Sequence, residues 1–157
     1  MNGFMSATMV LLGATVLGVS TFTGAEVAPA RQEAETASDA VVVMSGVRQT
    51  RQAMAMTGMI DGSVDQGIPA VERMVDKGWL KAVPVNPTNV GPSGYAVPRP
   101  LGRGRVVGMH LVRNGRAVCD EISRQYAGMW PAPVSDAPVN GEGCVVTSSG
   151  PMAYISV

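Results

Sequence analysis

Residues 4–25, Phe-Met-Ser-Ala-Thr-Met-Val-Leu-Leu-Gly-Ala-Thr-Val-Leu-Gly-Val-Ser-Thr-Phe-Thr-Gly-Ala, carry no charge, and none occurs before Glu26. As a helix such a run is roughly 33 Å long, about the thickness of a bilayer's hydrocarbon core. A helix satisfies its own backbone polar groups, so this one is at home in lipid or buried among copies of itself. Gly3, Gly13, Gly18 and Gly24 punctuate the run, with Ser6, Thr8, Thr15, Ser20, Thr21 and Thr23 between them. In water each glycine weakens a helix by about 1 kcal/mol relative to alanine. Where helices touch, the missing side chain lets backbones approach closely. Phe4, Met9, Leu12, Gly13, Val16, Gly18 and Phe22 are the candidate helix-packing positions. Ordinary membrane-helix composition, in which glycine is also common, is the alternative reading.

A secretory signal needs a basic start, a short apolar core and a small-residue cleavage site. No Lys or Arg lies in residues 1–25, so that pattern is not met and the positive-inside rule has nothing to act on. The absence of a basic flank is natural once a basic leader has been removed. Met1 is therefore expected to be a mature N-terminus, although an initiator methionine would look the same.

Beyond the run the chain turns amphipathic. Ala30, Ala34, Ala37, Val41, Met44, Val47 and Met54 follow helical spacing, while Arg31, Glu33, Glu35, Asp39, Arg48 and Arg51 lie largely off that stripe. Pro29 removes one helical hydrogen bond and crowds the preceding turn, so a kink or local unwinding is expected over residues 24–29, eased by Gly24. Gly58 is a plausible stop. Residues 1–28 thus read as an apolar helix and 29–57 as its amphipathic continuation.

Residues 58–104 read as a connecting region. It contains one short helix over 68–78, opened by Pro69, closed by Gly78 and packed down by Trp79-Leu80. Pro84, Pro87, Pro92, Pro98 and Pro100, with Gly91 and Gly94, are then expected to forbid regular structure. Asn86-Pro87-Thr88 is no glycosylation acceptor, because proline fills the middle position. Residues 105–157 read as a sheet region. A strand covers 105–113 and turns at Asn114-Gly115, a helix covers 117–127 and stops at Gly128, and 129–143 is irregular. A hairpin pairs 144–148 with 152–157 about Ser149-Gly150-Pro151. The expected fold is α+β, with three or more antiparallel strands packed on the amphipathic half of the long helix.

Lys+Arg and Asp+Glu balance at 12 each, which gives no basic surplus to attract nucleic acid. The two cysteines, Cys119 and Cys144, follow a membrane-leading segment and fit one disulfide in a domain outside the cytoplasm. Closing that loop stabilises the fold by roughly 3–4 kcal/mol in the chain-entropy picture. Two buried free thiols are the alternative.

An uncharged apolar helix, a proline, an amphipathic continuation, a loop region, an antiparallel sheet and a late cysteine pair occur in the order that resembles a type IV pilin. The Cys119-Asp-Glu-Ile-Ser helix and Gly143-Cys144 ahead of the last hairpin are most similar to the disulfide-bounded region of type IVb pilins. The resemblance implies a structural subunit of an extracellular type IV pilus filament on the cell surface. It would be held in the inner membrane, cut by a prepilin peptidase and passed by the pilus assembly machinery into a homopolymer. Phe4, Met9, Leu12, Gly13, Val16, Gly18 and Phe22 would then pack in the filament core. No enzyme activity, cofactor, metal or nucleic acid is implied.

Two positions depart from the family. Glu usually stands fifth in the mature chain, where it offsets a neighbour's N-terminal charge, and here Met5 does. Some minor tip subunits share that loss, so a minor pilin or secretion pseudopilin that primes or tips a filament is the alternative. Gly3-Phe4 is similar to a prepilin cleavage junction, yet cutting there would put Thr8 fifth and restore no acid.

The remaining candidates favour bland roles. His110 is the only histidine and has no companion ligand nearby in sequence, so a structural place is expected for it. No Ser–His–Asp or Cys–His arrangement stands out, which leaves a membrane-anchored extracytoplasmic enzyme as a remote reading. Gly102-Arg103-Gly104-Arg105 reads as a solvated basic loop. Trp79 and Trp130 read as packing residues, with subunit or ligand contact as the alternative.

Overall fold

The computed structural model describes residues 24–56, 68–102, 104–127, 132–133 and 141–157. The helix-packing candidates Phe4, Met9, Leu12, Gly13, Val16, Gly18 and Phe22, together with Gly58, Arg103, Gly128 and Trp130, lie outside the described residues.

Helix α1 (Gly24–Met56) is followed by α2 (Ile68–Asp76), and Gly78 leaves α2 with a φ of 73°. Next come strands β1 (Val97–Leu101) and β2 (Gly104–His110). Helix α3 (Gly115–Ile122) continues into one wider, π-type turn over Ser123–Ala127. Strands β3 (Ala132–Pro133), β4 (Glu142–Thr147) and β5 (Gly150–Ser156) close the chain. The sheet order is β1-β2-β5-β4-β3; the first four strands are antiparallel neighbours and β3 joins β4 in parallel. The fold is therefore α+β: one long helix laid on a small, mainly antiparallel sheet.

Alternation along the strands divides the sheet into two faces. Val107, Met109, Ala153 and Cys144 face the helices. They pack with Ala40, Val43, Met44, Val47, Ala53 and Met54 of α1, Val71 and Met74 of α2, and Val118, Cys119 and Ile122 of α3. Leu101, Val106, Val145, Met152 and Tyr154 form a second, smaller buried cluster. Gly46 lets α1 lie close against the sheet and the loop: a Cβ there would stand 3.0 Å from Met109 Cε and 3.0 Å from Pro84 Cβ.

Several expectations are corrected. Met44, Val47 and Met54 are buried as the stripe predicts, but Ala30, Ala34 and Val41 are exposed. No side chain from Ala28 to Glu35 is buried, and the core begins only at Ala40. The periodicity extends further than the surface that the head offers it. The chain is helical from Gly24 through Pro29, so residues 24–29 are not unwound.

Pro98 and Pro100 do not prevent a strand, because β1 is the sheet's edge. They are two positions apart, so both ring nitrogens fall where an N–H would point away from β2. The sheet therefore takes in residues before 105. The strand expected over 105–113 ends at His110, and the turn expected at Asn114-Gly115 (Asn114 φ 54°) leads into α3, which begins at Gly115. Ala132–Pro133 adds a short parallel strand inside the stretch read as irregular. Leu80 packs as expected, whereas Trp79 is exposed.

Candidate assembly surface

The described head carries an uneven surface. Val41, Val42, Met56, Trp79, Val85 and Val90 are exposed along one flank, with Val85 at 69% and Val90 at 90%. Here α1 borders the loop over residues 79–91 and forms a groove of about 470 Å³ lined by Val41, Val42, Gly46, Val83, Pro84 and Val85. Among the described residues Lys81 is the one charged residue lining it. Smaller hollows continue it past Val90 and Tyr95 in one direction and past Met56 and Trp79 in the other. Exposed branched side chains in a row are unusual for a surface that meets only water.

The loop that walls this groove is held rigidly. Asn86 is buried, and its Nδ2 donates to the carbonyls of Gly94 (3.0 Å) and His110 (2.8 Å). Its Oδ1 accepts from the Thr88 backbone N–H (3.0 Å) and hydroxyl (2.8 Å). The Asn-Pro-Thr sequence that cannot be glycosylated therefore serves as a clasp between the loop and the end of β2. Gly94 fits against Asn89 so closely that a Cβ would meet its carbonyl oxygen at 1.8 Å.

The opposite flank of α1 is polar. A groove of about 460 Å³ runs between Gln32, Glu33 and Thr36 of α1 and Ala117, Glu121 and Arg124. Asn114 Nδ2 donates to Thr36 Oγ1 at 3.1 Å across its end. Burial pushes the Glu121 carboxyl up, but hydrogen bonds from Gln125 and Arg124 outweigh it and hold the group below the usual range.

Further along α1, Arg48 forks onto Glu142, with Nε donating to Oε2 at 2.8 Å, and its guanidinium lies 4.8 Å from the centre of the Tyr126 ring. The hydrogen bond from Arg48 holds the Glu142 carboxyl below its ordinary range against the opposing effect of burial. Arg51 Nε donates to the Ser156 carbonyl at 3.0 Å. Helix, sheet and disulfide region are thus joined at a point the hydrophobic pattern does not reveal.

Cys119 and Cys144 form the disulfide, linking α3 to β4. His110 ends β2, half-buried, with its imidazole pushed down by burial and by Arg99, and a contact with the Pro151 carbonyl pulls the other way. Among the described residues, no group of three or more His, Cys, Asp or Glu could hold a metal, and no helix is long and apolar enough to cross a membrane. Sequence reasoning missed the α1–loop groove, because Val41 reads as core by its spacing and Val85 and Val90 sit singly among prolines and polar residues. No family model matches this chain, and neither a curated protein nor a solved structure does.

Proposed function

We propose that this chain is the structural subunit of an extracellular filament of the type IV pilus class, drawn from the inner membrane and polymerised through its N-terminal helix. One observation carries the reading: α1 has its buried face only from Ala40 onward, is exposed over Ala28–Glu35, and follows an uncharged run of apolar sequence. An apolar run of sequence leading into a helix whose first described turns are exposed gains most by burial against equivalent runs. The disulfide between Cys119 and Cys144 suits life outside the cytoplasm. The α1–loop groove supplies a second contact surface on the head.

Met5 in place of the family's acid favours one other reading, a minor pilin or pseudopilin at a filament's tip. Mass spectrometry of filaments sheared from cells tests the proposal. The expected result is this chain as the main component, with its first residue free or methylated. A few copies per filament would favour the tip role, and absence from filaments would reject both.

A further inference from the structure

The groove between α1 and the loop over residues 79–91 is open, apolar and already shaped. Val41 and Val42 of α1 line one side, Val83, Pro84 and Val85 line the other, and the two sides meet at Gly46. The Asn86 clasp fixes the loop, so an occupant does not bear the entropy of ordering it. Lys81 lines the groove and is exposed.

The same chain carries a surface that matches this cleft. No side chain between Ala28 and Glu35 of α1 is buried, and the apolar residues there, Ala28, Pro29, Ala30 and Ala34, are all small. Ala30 and Ala34 are four positions apart and share a face, which Glu33 borders. Alanines let a helix settle close against its neighbour, where longer side chains would hold it away. The lengths agree: residues 28–35 span roughly 12 Å of helix, and α1 borders the groove from Val41 to Gln49 over about the same distance. The charges agree as well. Among the described residues, neither Lys81 nor Glu33 pairs with an opposite charge, whereas Arg31, Arg48, Arg116 and Arg124 all do.

We propose that the groove of one copy receives the Ala28–Glu35 turns of α1 from a second copy, whose Glu33 meets Lys81. The proposal rests on the filament reading, in which the N-terminal helices of all copies lie side by side and point the same way. Two different surfaces then mate between neighbours. Such a heterologous contact repeats without closing on itself and builds a helical array. Groove and occupant are centred about 13 positions apart on α1, so neighbours joined this way are staggered by roughly 20 Å along the helix.

Two measurements on the full-length chain after detergent removal test the docking. Lys81→Glu and Glu33→Lys should each raise the concentration needed for self-association by roughly fivefold. The chain carrying both should return to the wild-type value, because the pair re-forms with its signs exchanged. Second, Ala34→Cys with Val85→Cys, oxidised with copper phenanthroline, should give a ladder of cross-linked species on non-reducing gels. Ala34→Cys with Ser149→Cys, on the exposed turn between β4 and β5, should give none. A ladder without filaments in electron micrographs supports the docking and rejects the pilus class. Filaments that form without the ladder, or without rescue in the charge-exchanged chain, overturn the docking and leave the filament reading standing. Cross-linking that stops at dimers also overturns it, and a chain that gives neither ladder nor filaments overturns both.

Discussion

Arg48 and Glu142 lie 94 positions apart in sequence and form a two-pronged ion pair where the middle of α1 meets the start of β4. Both side chains are partly exposed, at 46% and 28%, so solvent screening limits the pair to about 1 kcal/mol. Glu142→Gln is expected to lower stability by roughly that amount at neutral pH. The folded-state value of Glu142 is depressed, so the pair's stabilisation is present above the carboxyl's unfolded value and lost as pH falls through the lower folded one. Urea titrations across pH 7 to 2 should show wild type and variant converging in that acidic window. A gap that does not change with pH would mean that Arg48 acts only by packing on Tyr126.

The Cys119–Cys144 bond ties α3 to β4 across 25 positions. Replacing both cysteines by alanine is expected to cost about 3–4 kcal/mol. Thermal unfolding of the oxidised chain against the double variant measures it.

Gly46→Val should cost about 1–3 kcal/mol by overpacking. Met109 Cε can swing aside, but the Pro84 ring on the other side of Gly46 cannot. A parallel loss in Gly46→Val,Met109→Ala, which frees only the methionine side, would identify Pro84 as the obstacle. Chemical denaturation reports both variants.

Asn86→Ala removes all four hydrogen bonds of the clasp and leaves the partner carbonyls of Gly94 and His110 with less than they had. The expected loss is about 2–3 kcal/mol. Amide exchange should speed up selectively over residues 86–95 before global unfolding. Uniform exchange across the head would show that the loop is held by Leu80 and Tyr95 instead.

Much of the fold follows from local chemistry. The long helix is legible in the spacing of Met44, Val47 and Met54, the short one in Pro69 and Gly78, and the last hairpin in two β-branched runs about Gly150. The parts that escape are those decided by neighbours distant in sequence. Edge placement turns the prolines at 98 and 100 from breakers into strand residues. The face of α1 that the head covers runs through Ala40, Val43, Met44 and Val47, which leaves Val41 exposed although its spacing matches that of buried Met44. The Arg48–Glu142 pair and the Asn86 clasp join residues with no local signal for each other.

The α1–loop groove gives a prediction about assembly alone. Val41 and Val85 are 51% and 69% exposed, so Val41→Asp with Val85→Asp should leave stability within about 0.5 kcal/mol. Filament yield should nevertheless fall sharply, as judged by the sheared fraction from cells. Unchanged yield would remove the groove from the assembly contacts.

Negative-stain electron microscopy of the purified full-length chain after detergent removal tests the central claim most directly, with Gly13→Leu,Gly18→Leu as the comparison. The expected result is thin helical filaments from wild type and none from the double variant, whose head still shows native circular dichroism. Wild-type chain that stays as dispersed monomers, or filaments that persist unchanged in the double variant, would contradict assembly through the N-terminal helix.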